Sequence, residues 1–170
     1  MNSLNQQSKI TTMRNTVETA LQSNSLRYQV LHENANQKII KLGIGLENGR
    51  CDCFIDVRPE QNHVLIYTVC PTLVPQNHRL RIAEFITRAN HGLIIGNFEM
   101  DFGDGELRYK ASYIYDDTFP NSEEVFLRNL YATFHMMDRY LPGIMSVIYA
   151  NVTPQTAINQ IENVANPSFN

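Results

Sequence analysis

The sequence predicts an α+β fold, a twisted antiparallel β-sheet with helices packed against it. Three observations predict it. Strands with alternating apolar residues recur in two blocks joined by tight-turn residues; helical apolar spacings lie before, between and after those blocks; and no internal repeat, charge block or linker divides the chain. The expected order is α-β-β-β-β-α-β-β-α-α. At 170 residues a single domain is expected, over 11–165, with 1–10 a disordered or frayed start and 166–170 a polar tail.

Met13, Val17, Ala20 and Leu21 recur at helical spacing, and Asn24-Ser25 ends that helix. Leu26, Tyr28 and Val30 alternate in a first strand over 26–32. Ile40, Leu42, Ile44 and Leu46 then alternate against Lys41, Gly43, Gly45 and Glu47, so one face of that segment is buried. Asn48-Gly49 predicts a type I′ hairpin, with positive φ at both residues. The returning strand places Cys51, Cys53, Ile55 and Val57 inward, and Arg50, Asp52, Phe54, Asp56 and Arg58 outward. After Pro59-Glu60-Gln61-Asn62, the segment 63–70 is apolar on both faces, as a central strand requires.

Pro71 and Pro75 close this block. Leu80, Ile82, Ala83, Phe85, Ile86 and Ala89 form a helical face that Asn90-His91-Gly92 stops, with Gly92 suited to the left-handed position after a helix. Phe98, Met100 and Phe102 alternate before Gly103-Asp104-Gly105, where positive φ fits a tight turn into Leu107, Tyr109, Ala111, Tyr113 and Tyr115. Asn121 with Glu124 makes a capping box for a helix through Leu127, Leu130, Phe134, Met137 and Leu141. Pro142-Gly143 predicts a kink or a break there. Thr153-Pro154 starts the last helix, with Ala157, Ile158, Ile161 and Ala165 on its face.

Composition excludes several classes. Lys and Arg number 14 against 17 Asp and Glu, a net charge of −3, while 18 Asn and 9 Gln carry much of the polarity. A weakly acidic chain with no basic patch is expected to bind neither nucleic acid nor a membrane surface. The start lacks the basic and apolar regions of a secretory signal, and the stretch 141–150 is too short to span a bilayer. Three cysteines without framework spacing fit reduced thiols. A cytoplasmic location is expected.

The chemistry-bearing residues read mostly as structural. Cys51, Cys53 and Cys70 could offer thiolates to a soft metal, but they replace aliphatic residues in clean alternations and fit the core better. The five histidines form no zinc-binding pattern. Asp101-Phe102-Gly103 spells a kinase triplet without the motifs that must precede it. Glu99, Asp101, Asp104 and Glu106 could hold a hard cation, although their spacing is not that of a calcium loop. No phosphate-binding loop or nucleophile elbow occurs, so no catalytic residue, metal or cofactor is assigned. Phe54 stands on an otherwise charged outward face, and Ile114 opposes Tyr113 and Tyr115. With Leu65 and Tyr67 they either line an apolar surface for a partner or lie beneath a helix, the last being the candidate.

The run from Leu80 to Asp101 resembles the YbjN family, also called bacterial sensory transduction regulators. It carries the helix, the Asn90-x-Gly92 stop and the Gly96-Asn97-Phe98-Glu99 strand entry, and Asp104-Gly105-Glu106-Leu107-Arg108-Tyr109 follows as the family's turn. Tyr140-Leu141-Pro142 within 137–145 is similar to the family too, and the likeness spans about residues 26–165. The resemblance implies a fold like that of type III secretion chaperones, often dimeric, with a loose link to regulation and no catalytic residues to carry over. Gly92, Gly96, Gly103 and Gly105 read as backbone devices, and Asn90 and Asn97 as local caps. The expected function is a non-enzymatic, chaperone-like or regulatory protein-interaction module that binds a partner polypeptide and forms a homodimer. The alternative is a small-molecule or cation sensor with a pocket between the sheet and the C-terminal helices around Pro142.

Overall fold

The structure, a computed structural model, describes residues 2–116 and 122–165. In chain order these form α1 (Asn2–Ser23), β1 (Gln29–Glu33), β2 (Lys38–Gly45), β3 (Arg50–Arg58), β4 (His63–Val69), α2 (Arg79–Asn90), β5 (Asn97–Met100), β6 (Leu107–Ile114), α3 (Ser122–Tyr149) and α4 (Pro154–Ala165). The expected α-ββββ-α-ββ-αα order is the observed one. All strand pairs are antiparallel in one open sheet of order β1-β2-β3-β4-β6-β5, so α2 carries the chain past β4 and the last hairpin returns by inserting β6.

Strict alternation places Ile40, Leu42, Cys53, Ile55, Val64, Ile66 and Tyr109 on one buried face, each at most 1 % exposed. Against it lie α1 through Met13, Val17 and Leu21, α2 through Ile82, Phe85 and Ala89, and α3 through Phe126, Leu130, Met137 and Ile144. α4 packs on α2 and α3 within the helical layer. Gly143 makes that close approach possible: a Cβ there would lie 2.4 Å from Ile161 and 3.0 Å from the Phe85 ring.

Several local expectations change. α1 already begins at Asn2, so described residues expected to precede the helix extend it, a continuation their polar side chains do not signal. It ends where Ser25 takes φ 55°, with Ser25 N–H donating to Gln22 and Leu26 N–H to Leu21, which satisfies the last carbonyls. The first strand starts later, at Gln29, because Leu26 and Tyr28 pack as part of that helix exit. The β2–β3 turn is centred on Glu47-Asn48, one residue earlier than predicted, and neither Asn48 nor Gly49 has positive φ. Leu80 is 79 % exposed and Phe102 is 53 % exposed. The first faces away from the packed side of α2, and the second lies beyond the end of β5.

α3 runs through Pro142 without a break. Proline removes the hydrogen bond to the carbonyl four residues earlier, here Asp138. That carbonyl instead accepts from Asn48 Nδ2 at 3.2 Å, while the Asp138 carboxylate accepts from the N–H groups of Asn48 at 2.8 Å and Glu47 at 3.4 Å. The β2–β3 turn therefore docks on the helix at the point where proline frees an acceptor, and this docking displaces the turn from type I′ geometry. The proposed cap Asn121 lies outside the described residues. Thr153 does cap α4, with its Oγ1 accepting from Thr156 N–H at 3.2 Å, and Pro154 takes the first helical position.

Candidate functional site

Because every helix lies on the inner face, the residues alternating outward from β2, β3, β4 and β6 form a face with no helix over it among the described residues. The register builds it in rows. Lys41, Phe54, Tyr67 and Lys110 stand opposite one another across four strands, with Asp56, Leu65 and Ser112 in the next row and Arg58, His63 and Ile114 in the one after. The expectation that a helix, the last one, covers Phe54, Leu65, Tyr67 and Ile114 does not hold, since α4 finds its apolar partners on α2 and α3.

Phe54 and Tyr67 stack with ring centroids 5.5 Å apart and planes inclined by 18°. The Lys41 ammonium lies 5.6 Å from the Phe54 centroid and the Arg108 guanidinium 4.7 Å from that of Tyr67. Each cation is also tethered. Lys41 pairs with Asp52 at 2.8 Å, and Arg108 pairs with Glu99 at 2.6 Å and Glu106 at 3.2 Å. Lys110 reaches the other oxygen of Glu99. Burial pushes the Glu99 carboxyl up, but Lys110 and Arg108 outweigh it and hold the group below its ordinary value. The Tyr67 hydroxyl is raised, mainly by burial. Asp56 is itself buried, held by Gln37 at 2.9 Å and by Arg58 at 2.7 and 2.8 Å.

Phe54, Leu65 and Tyr67 are thus brought together half-buried, while Ile114, 70 % exposed, stands two rows from Tyr67, roughly 13 Å along the strands. Sequence reasoning missed Lys41, which read only as a polar position in the β2 alternation, and Arg108, which read only as part of the Asp104–Tyr109 turn motif, until the register sets them beside the rings.

The other singled-out residues hold backbone. Asn90 accepts from Phe98 N–H at 2.7 Å and donates to Phe98 C=O at 3.0 Å, so its carboxamide replaces a missing strand along β5. Asn97 donates to the same carbonyl. Gly92 and Gly96 have positive φ, at 87° and 75°. Gly105 does too, at 89°, and a Cβ there would lie 2.2 Å from Val74 O. Gly103, also expected at positive φ, is not, because Asp101 Oδ1 accepts its N–H at 2.6 Å and shapes the turn another way.

The acidic group does not converge on a cation. Glu99 and Glu106 pair with bases, Asp101 accepts from Gly103 N–H, and Asp104 accepts from Glu106 N–H at 2.8 Å. The three cysteines are free and buried. No cluster of three or more His, Cys, Asp or Glu suited to a metal occurs among the described residues.

A separate apolar-lined groove of about 420 Å³ lies between Arg139, Pro142, Gly143 and Ser146 of α3 and Ala157, Gln160 and Ile161 of α4. It sits between the helices and not, as expected, between them and the sheet, because the sheet is already sealed by the buried side of α3. Among the described residues no helix is long and apolar enough to cross a membrane.

The family model YbjN, whose description reads "Putative bacterial sensory transduction regulator", matches residues 14–145. No curated protein matches the chain.

Proposed function

Since the chain belongs to the YbjN family, described as regulators and not as enzymes, we propose that it is a non-enzymatic regulatory module binding a partner polypeptide on the outer sheet face. The observation that carries this reading is the stacked Phe54–Tyr67 pair on a face that no helix covers among the described residues, with Ile114 exposed at its rim. Aromatic rings within a polar and charged rim match the make-up of protein contact surfaces. The rings and their flanking ion pairs are held in place before any partner arrives, so little side-chain entropy remains to be lost on binding. A segment with apolar side chains, flanked by charges that meet Lys41, Asp52, Glu99 and Arg108, fits this surface.

The module acts in the cytoplasm and pairs as a homodimer through β1. That edge exposes Val30 at 38 % and Leu31 at 47 %, whereas Asn90 occupies the polar groups of Phe98 on the opposite edge. Sedimentation of the purified chain across a concentration series checks it, and a monomer throughout removes the dimer.

The partner reading is tested by crosslinking capture from native cytosol with wild type and Phe54→Asp, the variant first matched to wild type by circular dichroism. The expected result is a specific protein enriched by wild type and lost with the variant. Equal recovery by both, or none above background, removes Phe54's face as the site.

A second reading, a small-molecule sensor, is favoured by the groove at Pro142, with Arg139 as its cation. A ligand panel that leaves the thermal transition unmoved counts against it.

A further inference from the structure

β3 and β4 pair in register as far as Asp52–Val69, and the same register carried one step further, just past the end of β4, sets Cys51 opposite Cys70, whose charge is felt at Cys51. Both side chains lie on the inner face, 2 % and 5 % exposed. The Cys70 N–H donates to Leu107 O of β6 at 2.8 Å. In an antiparallel strand a residue's N–H and C=O point to the same neighbour, so Cys70 turns both groups away from β3. Cys51 and Cys70 are therefore a non-hydrogen-bonded cross-strand pair, the kind whose Cα atoms lie about 4.5 Å apart with side chains close together. That separation falls within the range of roughly 4.4–6.8 Å that a disulfide spans.

The same register excludes Cys53. It faces Thr68 and stands diagonal to Cys70, at roughly 7–8 Å. Cys51 and Cys53 share one strand and project in parallel, so their sulfurs do not meet.

We propose that Cys51 and Cys70 form a reversible cross-strand disulfide, made by hydrogen peroxide and reversed by thiol reductants. Peroxide oxidises one thiolate to a sulfenic acid and leaves as hydroxide; the second thiol then attacks that sulfur and displaces its oxygen as water. Two S–H bonds and one O–O bond break, one S–S bond forms, and two waters are released. The sulfurs are oxidised and the peroxide is reduced. The bridge ties together the ends of the two strands that carry Phe54 and Tyr67 on their other face. It rests on the inner-face register alone and stands or falls apart from the partner reading.

Burial sets the pace. It is the main reason that both thiols are pushed up to about 11, with charge on Cys70 adding to the effect at Cys51. Since the thiolate is the reactive form, bridge formation should speed up about tenfold per pH unit across the neutral to mildly alkaline range.

The test treats the full native chain with hydrogen peroxide, blocks remaining thiols under denaturing conditions, and maps peptides without reduction. Two of the three thiols should become unblockable, with a mass loss of about 2 Da. A Cys51–Cys70 linked peptide should appear in wild type and Cys53→Ser, and vanish on reduction and in Cys70→Ser. The wild-type map decides the matter even where a serine variant fails to fold. A bridge to Cys53, or three thiols still blockable after long exposure near pH 9, overturns the proposal.

Discussion

The two faces of the sheet are built by the same strands with the same alternation, and they solve opposite problems. On the inner face, aliphatic, aromatic and thiol side chains meet three helices and lose nearly all exposure. On the outer face, each large apolar ring lies beside a cation, and each of those cations is held by a carboxylate. The charged stems cover part of the aromatic surface while their heads stay in water. A face can thus be half-buried without a covering layer and remain available to a partner.

The largest expected effect separates two neighbours on β3. Ile55 is 0 % exposed, and Ile55→Ala should cost about 2–5 kcal/mol in urea denaturation through lost burial and a cavity. Phe54→Ala, one residue away on the other face, should cost only about 1–2 kcal/mol, the stacking and cation contacts. Equal losses would mean that the outer face is packing surface like the inner one.

An intermediate effect tests how the helical layer grips the end of the sheet. Asp138→Ala leaves the N–H groups of Glu47 and Asn48 without their acceptor and should cost about 1–2 kcal/mol. Hydrogen exchange should accelerate at the β2–β3 turn, while protection at β4 and β6 is retained.

The smallest effect concerns charge on the outer face. Glu99 lies below its ordinary value, so it contributes stability above the unfolded value near 4.5, and that contribution is lost as pH falls through the lower folded value. Glu99→Gln should flatten the acid limb of the stability curve below about pH 4.5 and leave neutral and alkaline stability nearly parallel to wild type. An unchanged acid limb would show that Arg108 and Lys110 do not hold this carboxylate in solution.

Periodicity made the element order and the inner face readable, because a two-residue repeat on β2 and β3 leaves one choice of buried side. Phe54, Leu65, Tyr67 and Ile114 could be assigned to one outward face for the same reason. What covers that face was not readable, since α4 carries an apolar stripe that suits a sheet and a pair of helices equally well. Lys41 and Arg108 gained meaning only through cross-strand register, which depends on turn lengths. Local turn rules misplaced the β2–β3 hairpin because its geometry answers to Asp138, some ninety residues away along the chain.

That distant tether bears on where the molecule tolerates added sequence. Hairpin tips are ordinarily the safest places for inserted peptides. Here the 46–49 tip is docked: Asn48 serves the carbonyl freed by Pro142, and a Cβ on Gly49 would lie 2.8 Å from Leu141. An epitope or fluorophore spliced there would pull the β2–β3 turn off the longest helix. The turn after β3, where Glu60 and Gln61 are exposed, is the better insertion point for a label at the Arg58–His63 end of the outer face.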